Sequence, residues 1–481
     1  GGRLLPDPGS QPGAGADGVT GARPTGLWRH GNFAKLWAAQ TISLVGSQVT
    51  ALALPLTAIL KLNASPVQIG LIGTIQFLPF LLVTLPAGAI IDRLRQLSVM
   101  VFTDLARAVL LITVPIAAWS GHLSLGMLYP VAFGVGVLSV FNEVTSQSYL
   151  PAVVDAEQLV EGNTKLQLSY SGAQFAGPGI GGVLVQLLTA PIAIMVDAAS
   201  YLGSAVLLLL IRRDGEHAAA EARRAAGRDL RGLLRDMGAG IGYVWRHRLI
   251  RPLAMATGTA NFFYLLGMTG AILALYAIRV LHLTPALLGA VLATGNLGAI
   301  LGSLVADRVL ARWRFGAVAI LGSTISAVAV VLMALADRST ALVMLGLGVL
   351  IGEFGASIYD IAQISLRQAV TPLPMLGRMN ATVRFMNWGP IPLGAFVGGL
   401  LGQSIGLRPT LWVAAAGSLL PAVPLLLSRI RTLQSLPGGT AEGQAAGPAE
   451  DPAAGRAEDL AAAAAATAAP RRTSSGDARR R

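Results

Sequence analysis

Residues 163–186 read NTKLQLSYSGAQFAGPGIGGVLVQ, and the stretch returns 217 positions later, at residues 380–403, as NATVRFMNWGPIPLGAFVGGLLGQ. Without a gap, seven positions agree: Asn163/Asn380, Gly172/Gly389, Gly177/Gly394, Gly181/Gly398, Gly182/Gly399, Leu184/Leu401 and Gln186/Gln403. Four of the seven are glycines in an apolar run. In water a glycine inside a helix costs about 1 kcal/mol relative to alanine. In a bilayer it lets helix backbones approach, and Gly177-x-x-x-Gly181 and Gly394-x-x-x-Gly398 both have that spacing.

A second repeat supports the first. Ser65-Pro66-Val67-Gln68-Ile69-Gly70 matches Thr284-Pro285-Ala286-Leu287-Leu288-Gly289. Each has a Ser or Thr to cap a helix and a Pro suited to its first position. The two helices they open finish in Gly88-Ala-Ile-Ile-Asp92-Arg93 and Gly302-Ser-Leu-Val-Ala-Asp307-Arg308, the second copy with a gap. A chain built as two similar halves of membrane helices is the pattern of a secondary transporter.

Composition agrees. The 481 residues are 53% hydrophobic and 12% charged, where soluble domains carry roughly a quarter charged residues. Mean hydropathy is +0.63. With no cysteine there is no disulfide framework and no thiolate metal site. The net charge of +12 comes almost entirely from arginine, since Lys35, Lys61 and Lys165 are the lysines. The Ala, Gly and Arg bias suggests a GC-rich, bacterial source. These arginines lie between apolar runs, so no nucleic-acid partner is expected.

Windows of about twenty residues place twelve spans, at 36–60, 67–91, 98–119, 124–147, 164–189, 191–211, 252–279, 286–309, 315–336, 340–366, 380–405 and 409–430. The expected fold is therefore all-α and integral to the membrane, in two six-helix pseudo-repeats. With the N-terminus inside, the inner loops hold Arg93, Arg95, ten arginines over 212–251, Arg308, Arg312, Arg314, Arg367 and Arg378. The outer side holds only Lys61, Arg279, Arg338 and Arg408. Positive-inside orientation then makes both termini cytoplasmic. The organisation read from this is a disordered tail at 1–30, a first half at 31–211, an Arg-rich cytoplasmic linker at 212–251, a second half at 252–431 and a disordered tail at 432–481. Within the linker, Leu230, Leu233, Leu234 and Met237 have helical spacing, as in an amphipathic helix on the membrane surface. A solvated linker helix fits the same spacing.

At these residues the sequence resembles the major facilitator superfamily, over about residues 30–431. Gly88-x-x-x-Asp92-Arg93 is similar to the family's loop 2–3 signature, with Asp307-Arg308 as its echo. Gly177-Pro178-Gly179-Ile180-Gly181-Gly182 resembles the fifth-helix signature of drug–proton antiporters. Span 1 (QTISLVGSQVTALALPL) and Asp104-Leu-Ala-Arg107-Ala resemble the branch with macrolide efflux proteins and the enterobactin exporter. The sequence departs from the family where Leu94-Arg95-Gln96-Leu97 lacks a glycine, and where Gln48 stands in a first helix that often carries an acid. The resemblance implies twelve helices, alternating access and multidrug export, with Gly88, Asp92, Arg93, Asp307 and Arg308 as a conformational latch.

Ionisable residues inside spans are functional candidates, because charge in hydrocarbon is costly. These are Asp104 and Arg107 in span 3, Glu143 in span 4, Glu353 and Asp360 in span 10 and Arg384 in span 11. Arg107 can pair with Asp104 or Glu143, and Arg384 with Asp360. Glu353 lies deepest and has no partner three or four positions away. A buried, unpaired carboxyl can carry a proton, which makes Glu353 the first choice for proton coupling. Asp197, toward the end of span 6, is expected to be interfacial. Gln40, Ser43, Gln48, Asn142, Asn261, Asn296, Tyr359, Gln363 and Asn387 are uncharged cavity candidates. Phe77, Phe262, Phe263, Tyr264, Phe354 and Trp388 are candidate apolar contacts. A nearly neutral, amphipathic cavity suits a bulky, partly apolar compound.

No nucleophile elbow, metal-spaced histidine pair or P-loop is visible, so neither enzyme activity nor a cofactor is expected. Energy would come from an ion gradient. The expectation is a monomeric proton antiporter of the bacterial inner membrane, with a small-molecule substrate, protons and lipid as its partners. A siderophore or lysolipid cargo, and a non-transporting receptor or scaffold, remain as alternatives.

Overall fold

The computed structural model describes residues 27–91, 94–211, 230–267 and 271–435. Among these the only regular elements are helices. The α-helices are α1 (Gly31–Lys61), α2 (Pro66–Leu82), α3 (Thr84–Ile91), α4 (Gln96–Trp119), α5 (Leu125–Tyr149), α6 (Leu159–Leu188), α7 (Ala190–Leu209), α8 (Leu230–Arg246) and α9 (Ile250–Gly267). They continue with α10 (Ala271–Arg279), α11 (Pro285–Arg312), α12 (Phe315–Leu335), α13 (Ala341–Val370), α14 (Leu373–Trp388), α15 (Pro390–Ser404), α16 (Leu407–Gly417) and α17 (Ala422–Leu426). Eight helical stretches are long and apolar enough to cross a bilayer: α1, α4, α5 with its extension to Ala152, α7, α11, α12, α13 and Leu407–Leu426. The expected tails, most of the linker, and the latch residues Asp92 and Arg93 lie outside the described residues.

Three of the remaining expected spans fall on interrupted helices, and two breaks have a proline cause. Pro86 has no N–H to reach the Leu82 carbonyl, and α2 gives way to α3 at Val83. Pro390 has none for Met386, and α14 gives way to α15 at Gly389. Pro178 leaves α6 continuous, and the Gln174 carbonyl it frees accepts from Asn296 Nδ2 at 2.7 Å.

The helix starts follow the sequence. Ser65 Oγ accepts from Gln68 N at 3.4 Å, and Gln68 Oε1 accepts from Ser65 N at 2.8 Å, a complete capping box. The repeat places Leu287 where Gln68 stands, so α11 lacks the reciprocal half of the box: Thr284 accepts from Leu287 N at 3.3 Å, and Gln186 of α6 accepts from Ala286 N at 3.1 Å. His247 caps α9: its Nδ1 accepts from Leu249 N and Ile250 N, both at 3.3 Å. Burial holds the His247 imidazole below its ordinary 6.5, which keeps the accepting nitrogen free.

Helices α1, α4 and α7 pack together with α5 and α6 alongside, while α11, α12 and α13 form the centre of a second group with α9, α15 and α16. Contacts between the groups gather at the end where α1 finishes, here called the Lys61 end. There α2 lies on α15, α6 on α11, and α10 against α1 and α2. Large apolar side chains such as Val109, Val343 and Leu304 stay exposed around the bundle, as suits a surface turned to lipid rather than water. At the opposite, Gly31 end, α8 rests on α14, where Gly240 admits the Arg378 carbonyl.

Candidate functional site

The first group holds a buried polar network. Asp104 and Arg107, one turn apart on α4, form an ion pair, the first of the two pairings the sequence allows. Asp104 also accepts from Asn142 Nδ2 at 3.1 Å and from Ser204 Oγ at 2.6 Å. The Arg107 guanidinium lies 4.1 Å from the Tyr201 ring centroid and donates to Tyr201 Oη at 3.3 Å and Ser139 Oγ at 3.5 Å. Tyr201 Oη in turn meets Ser47 Oγ at 2.8 Å. A guanidinium stacked on a tyrosine and anchored by a satisfied carboxylate fixes α1, α4, α5 and α7 to one another. Asp197 is not interfacial: it is fully buried on α7, against Gly46 of α1. Tyr201 and Ser204 were missed, although their spacing from Asp197 puts all three on one helical stripe.

The second group encloses a cavity of 210 Å³ between α9, α12, α13 and the α16–α17 turn. Glu353 and Asp360, two turns apart on α13, line it with Asn261, Tyr264 and Tyr359, and none of its lining residues is Lys, Arg or His. Glu353 has a partner, contrary to expectation, and it comes from another helix: Tyr264 Oη donates to its carboxylate. Tyr264 is thus a hydrogen-bond donor rather than an apolar contact. Asp360 does not meet Arg384; it accepts from Gln363 Nε2 at 2.5 Å. Tyr359 Oη pairs with Thr257 Oγ1 at 3.0 Å, and both residues line the cavity. The chemistry its lining offers is two carboxyls and hydroxyl donors.

Between the groups, Arg384 of α14 instead reaches Glu143 of α5 at 2.5 Å, and both side chains are about 40% exposed, at 43% and 37%. One turn on, Trp388 stacks on Phe80 at 5.1 Å and lies 6.3 Å from Phe77. Toward the Lys61 end the two sequence repeats meet each other. A Cβ at Gly399 would fall 3.1 Å from Gly70 Cα, and one at Gly182 would fall 2.9 Å from Gly289 Cα. Gly177 and Gly181 take Gln48 and the Val49 backbone of α1, as Gly394 and Gly398 take the Phe262 and Leu266 carbonyls of α9. Gln48 and Asn296 therefore serve helix contacts. Asn261 donates to the Asn387 carbonyl at 2.7 Å as well as lining the cavity. Ser43 is buried on α1 and Gln40 is half-buried one turn before it. Gly88 lies in α3. Asp307 and Arg308 are exposed at the Gly31 end, with Arg308 donating to the Leu304 carbonyl of its own helix.

Two helix groups joined by glycine crossings, each with its own intramembrane charges, have the geometry of a transporter, and the sequence matches the model of the Major Facilitator Superfamily over residues 36–352. The chain belongs to the Major Facilitator Superfamily. Its relatives in that superfamily include the Multidrug efflux pump Tap of Mycolicibacterium fortuitum, 26% identical over 83% of this chain and 96% of Tap. The uncharacterized MFS-type transporter y4rN of Sinorhizobium fredii is 26% identical over 77% of this chain and 88% of its own. Among solved structures, a bacterial homologue of the iron transporter ferroportin in its inward-facing state matches with a TM-score of 0.63 at 18% identity. It covers 82% of this chain and 98% of that one. The nucleoside transporter NupG matches with a TM-score of 0.67 at 12% identity, over 82% and 98%. These structural likenesses show the fold. As a superfamily member the chain is a multi-pass membrane transport protein and not an enzyme.

Proposed function

We propose that this transporter exports a small, partly apolar compound across the bacterial inner membrane by proton antiport, as a monomer with twelve spans and both termini cytoplasmic. The broken helices complete the span count: α2 with α3, α9 with α10, and α14 with α15 each make one crossing, and α6 makes another. The arginine bias then puts the Lys61 end outside. In that frame the two glycine crossings would close the outer side, and Asp307 and Arg308 would lie toward the inner face, where the latch would act.

The observation that carries the coupling is the Glu353 carboxyl, deep on α13, held by a neutral Tyr264 hydroxyl and facing a cavity with no cation in its lining. A carboxyl in such a place is neutral in the bilayer and ionises when water or a cationic guest reaches it. Proton binding there biases the two access states by its differential affinity for them. Phe77, Phe80 and Trp388 beside the Glu143–Arg384 pair supply an amphipathic wall for the cargo. Similarity to a multidrug efflux pump supports a drug or natural product as that cargo.

The test is efflux of ethidium from proteoliposomes with and without an imposed pH gradient, for wild type and Glu353→Gln. The variant keeps the shape and removes the titration, so it is expected to bind the dye and lose gradient-driven accumulation. A full gradient response in the variant moves coupling to Asp360, Asp104 or Glu143.

A further inference from the structure

We propose that Asp197 is a second proton-binding group, held as the neutral acid inside the α1–α7 contact and exposed to water only when α1 moves. This goes beyond the coupling assigned to Glu353 and does not depend on it.

The argument begins with a count of charges. Two carboxyls, Asp104 and Asp197, share one buried pocket with one guanidinium, Arg107. The structure shows which carboxyl is the anion. Asp104 receives donors on both oxygens: Arg107 and Asn142 on Oδ1 and Ser204 on Oδ2. Asp197 receives one, from Ser200 Oγ to Oδ1 at 3.0 Å, and its buried Oδ2 has no hydrogen-bond acceptance at all. No ion pair within 4.0 Å joins Asp197 to any cation among the described residues. The charged or titratable groups facing it are Arg107 and Asp104 from α4 and Tyr201 from its own helix. Helix α1 contributes Gly46 and the neutral Thr50. The Arg107 charge is already engaged by Asp104 and by the face of Tyr201.

An ionised carboxylate buried with an empty oxygen is an expensive arrangement. A protonated one is not, because its O–H is a donor. Thr50 Oγ1 sits beside Asp197 and is itself buried without a partner. The Thr50 hydroxyl can accept from a protonated Oδ2 as readily as it can donate to the carboxyl, so the neutral acid finds a partner there.

Gly46 makes the site conditional. A Cβ there would fall 2.3 Å from Asp197 Oδ1 and 2.1 Å from Ser200 Oγ, so the α1 backbone itself seals the carboxyl. Helix α1 also touches α10 of the other group. Exchange of the proton therefore needs the α1–α7 contact to open locally. The Oδ2–H bond then breaks to water, and the proton returns from water when the contact closes. No other reactant is needed.

The experiment needs no cargo. Infrared spectra of the purified transporter in lipid at neutral pH report the carbonyl stretch of buried protonated carboxyls. Wild type, Asp197→Asn and Glu353→Gln are compared, with thermal melting of each. The expected result is that Asp197→Asn removes one protonated-carboxyl component, distinct from any that Glu353→Gln removes, and melts within a few degrees of wild type. An unchanged spectrum in Asp197→Asn overturns the proposal. So does failure of that variant to fold, because a neutral amide has the shape and polarity the site is said to hold. A negative result at Glu353 with a positive one at Asp197 separates the two assignments.

Discussion

The side chains within the bundle differ in what they tolerate losing. Asp104 and Arg107 are 1% and 4% exposed and complete each other's bonding. Asp104→Asn strands the guanidinium among apolar helices, and breaking one partner of a buried pair costs about 3–5 kcal/mol. The expected outcome is a large drop in the melting temperature of the purified protein, much larger than for Asp197→Asn or Glu353→Gln. A melting curve unchanged in Asp104→Asn contradicts the pairing. The Asp104–Arg107 pair was legible because its members are three positions apart on one helix. The Glu143–Arg384 pair was not, since its members are 241 positions apart and on helices that meet only in the folded chain. Position along a span, which singled out Glu353, said nothing about Tyr264, which arrives from 89 positions away. Asp197 was misread for a related reason: distance from a helix end is local, while the covering by Gly46 is tertiary.

Among the helices, the deciding contacts are backbone to backbone. Both glycine repeats could be read from self-similarity, and their spacing points to a close helix crossing, though not to α1 as the partner of Gly177 and Gly181. What self-similarity does not reveal is that the repeats are mutual partners, Gly70 with Gly399 and Gly182 with Gly289, because that depends on how the groups dock. The prolines show a similar limit. Pro178 and Pro390 lie five positions out of register in the repeat; α6 stays whole at the first, where Asn296 satisfies the carbonyl that Pro178 frees, and α14 gives way to α15 at the second. A leucine at Gly399 would place its Cβ 2.9 Å from the Pro66 carbonyl and 3.1 Å from Gly70 Cα. Overpacking of this kind costs on the order of 1–3 kcal/mol, enough to shift a two-state equilibrium away from the closed crossing. Alkylation of Ala395→Cys, a position 5% exposed beside Gly73, reads the crossing in a chain with no other cysteine. Gly399→Leu should speed the labelling severalfold. Gly203→Ala, where nothing lies within 4 Å of the added carbon, should leave it unchanged. Equal rates in all three proteins would remove the crossing from the closure.

At the scale of the whole molecule, the two groups differ in how they hold charge. The first locks its ions inside helix contacts, and the second exposes its acids to a cavity. This asymmetry suits a machine in which one group supplies a stiff body and the other a site that samples the aqueous side. The central claim is that the groups rock about the cargo space, closed at the Lys61 end by glycine crossings in one state and open there in the other. The most direct measurement places spin labels in pairs in the otherwise cysteine-free chain, at Lys61 and Gln403 on one end and at Gln147 and Asn380 on the other. Pulsed distance measurements are then made in lipid at acidic and alkaline pH, with and without ethidium. The account predicts reciprocal change: a population in which the Lys61–Gln403 distance lengthens is the population in which the Gln147–Asn380 distance shortens, and pH shifts the balance between the two. A single distribution for each pair, unmoved by pH or dye, would contradict it.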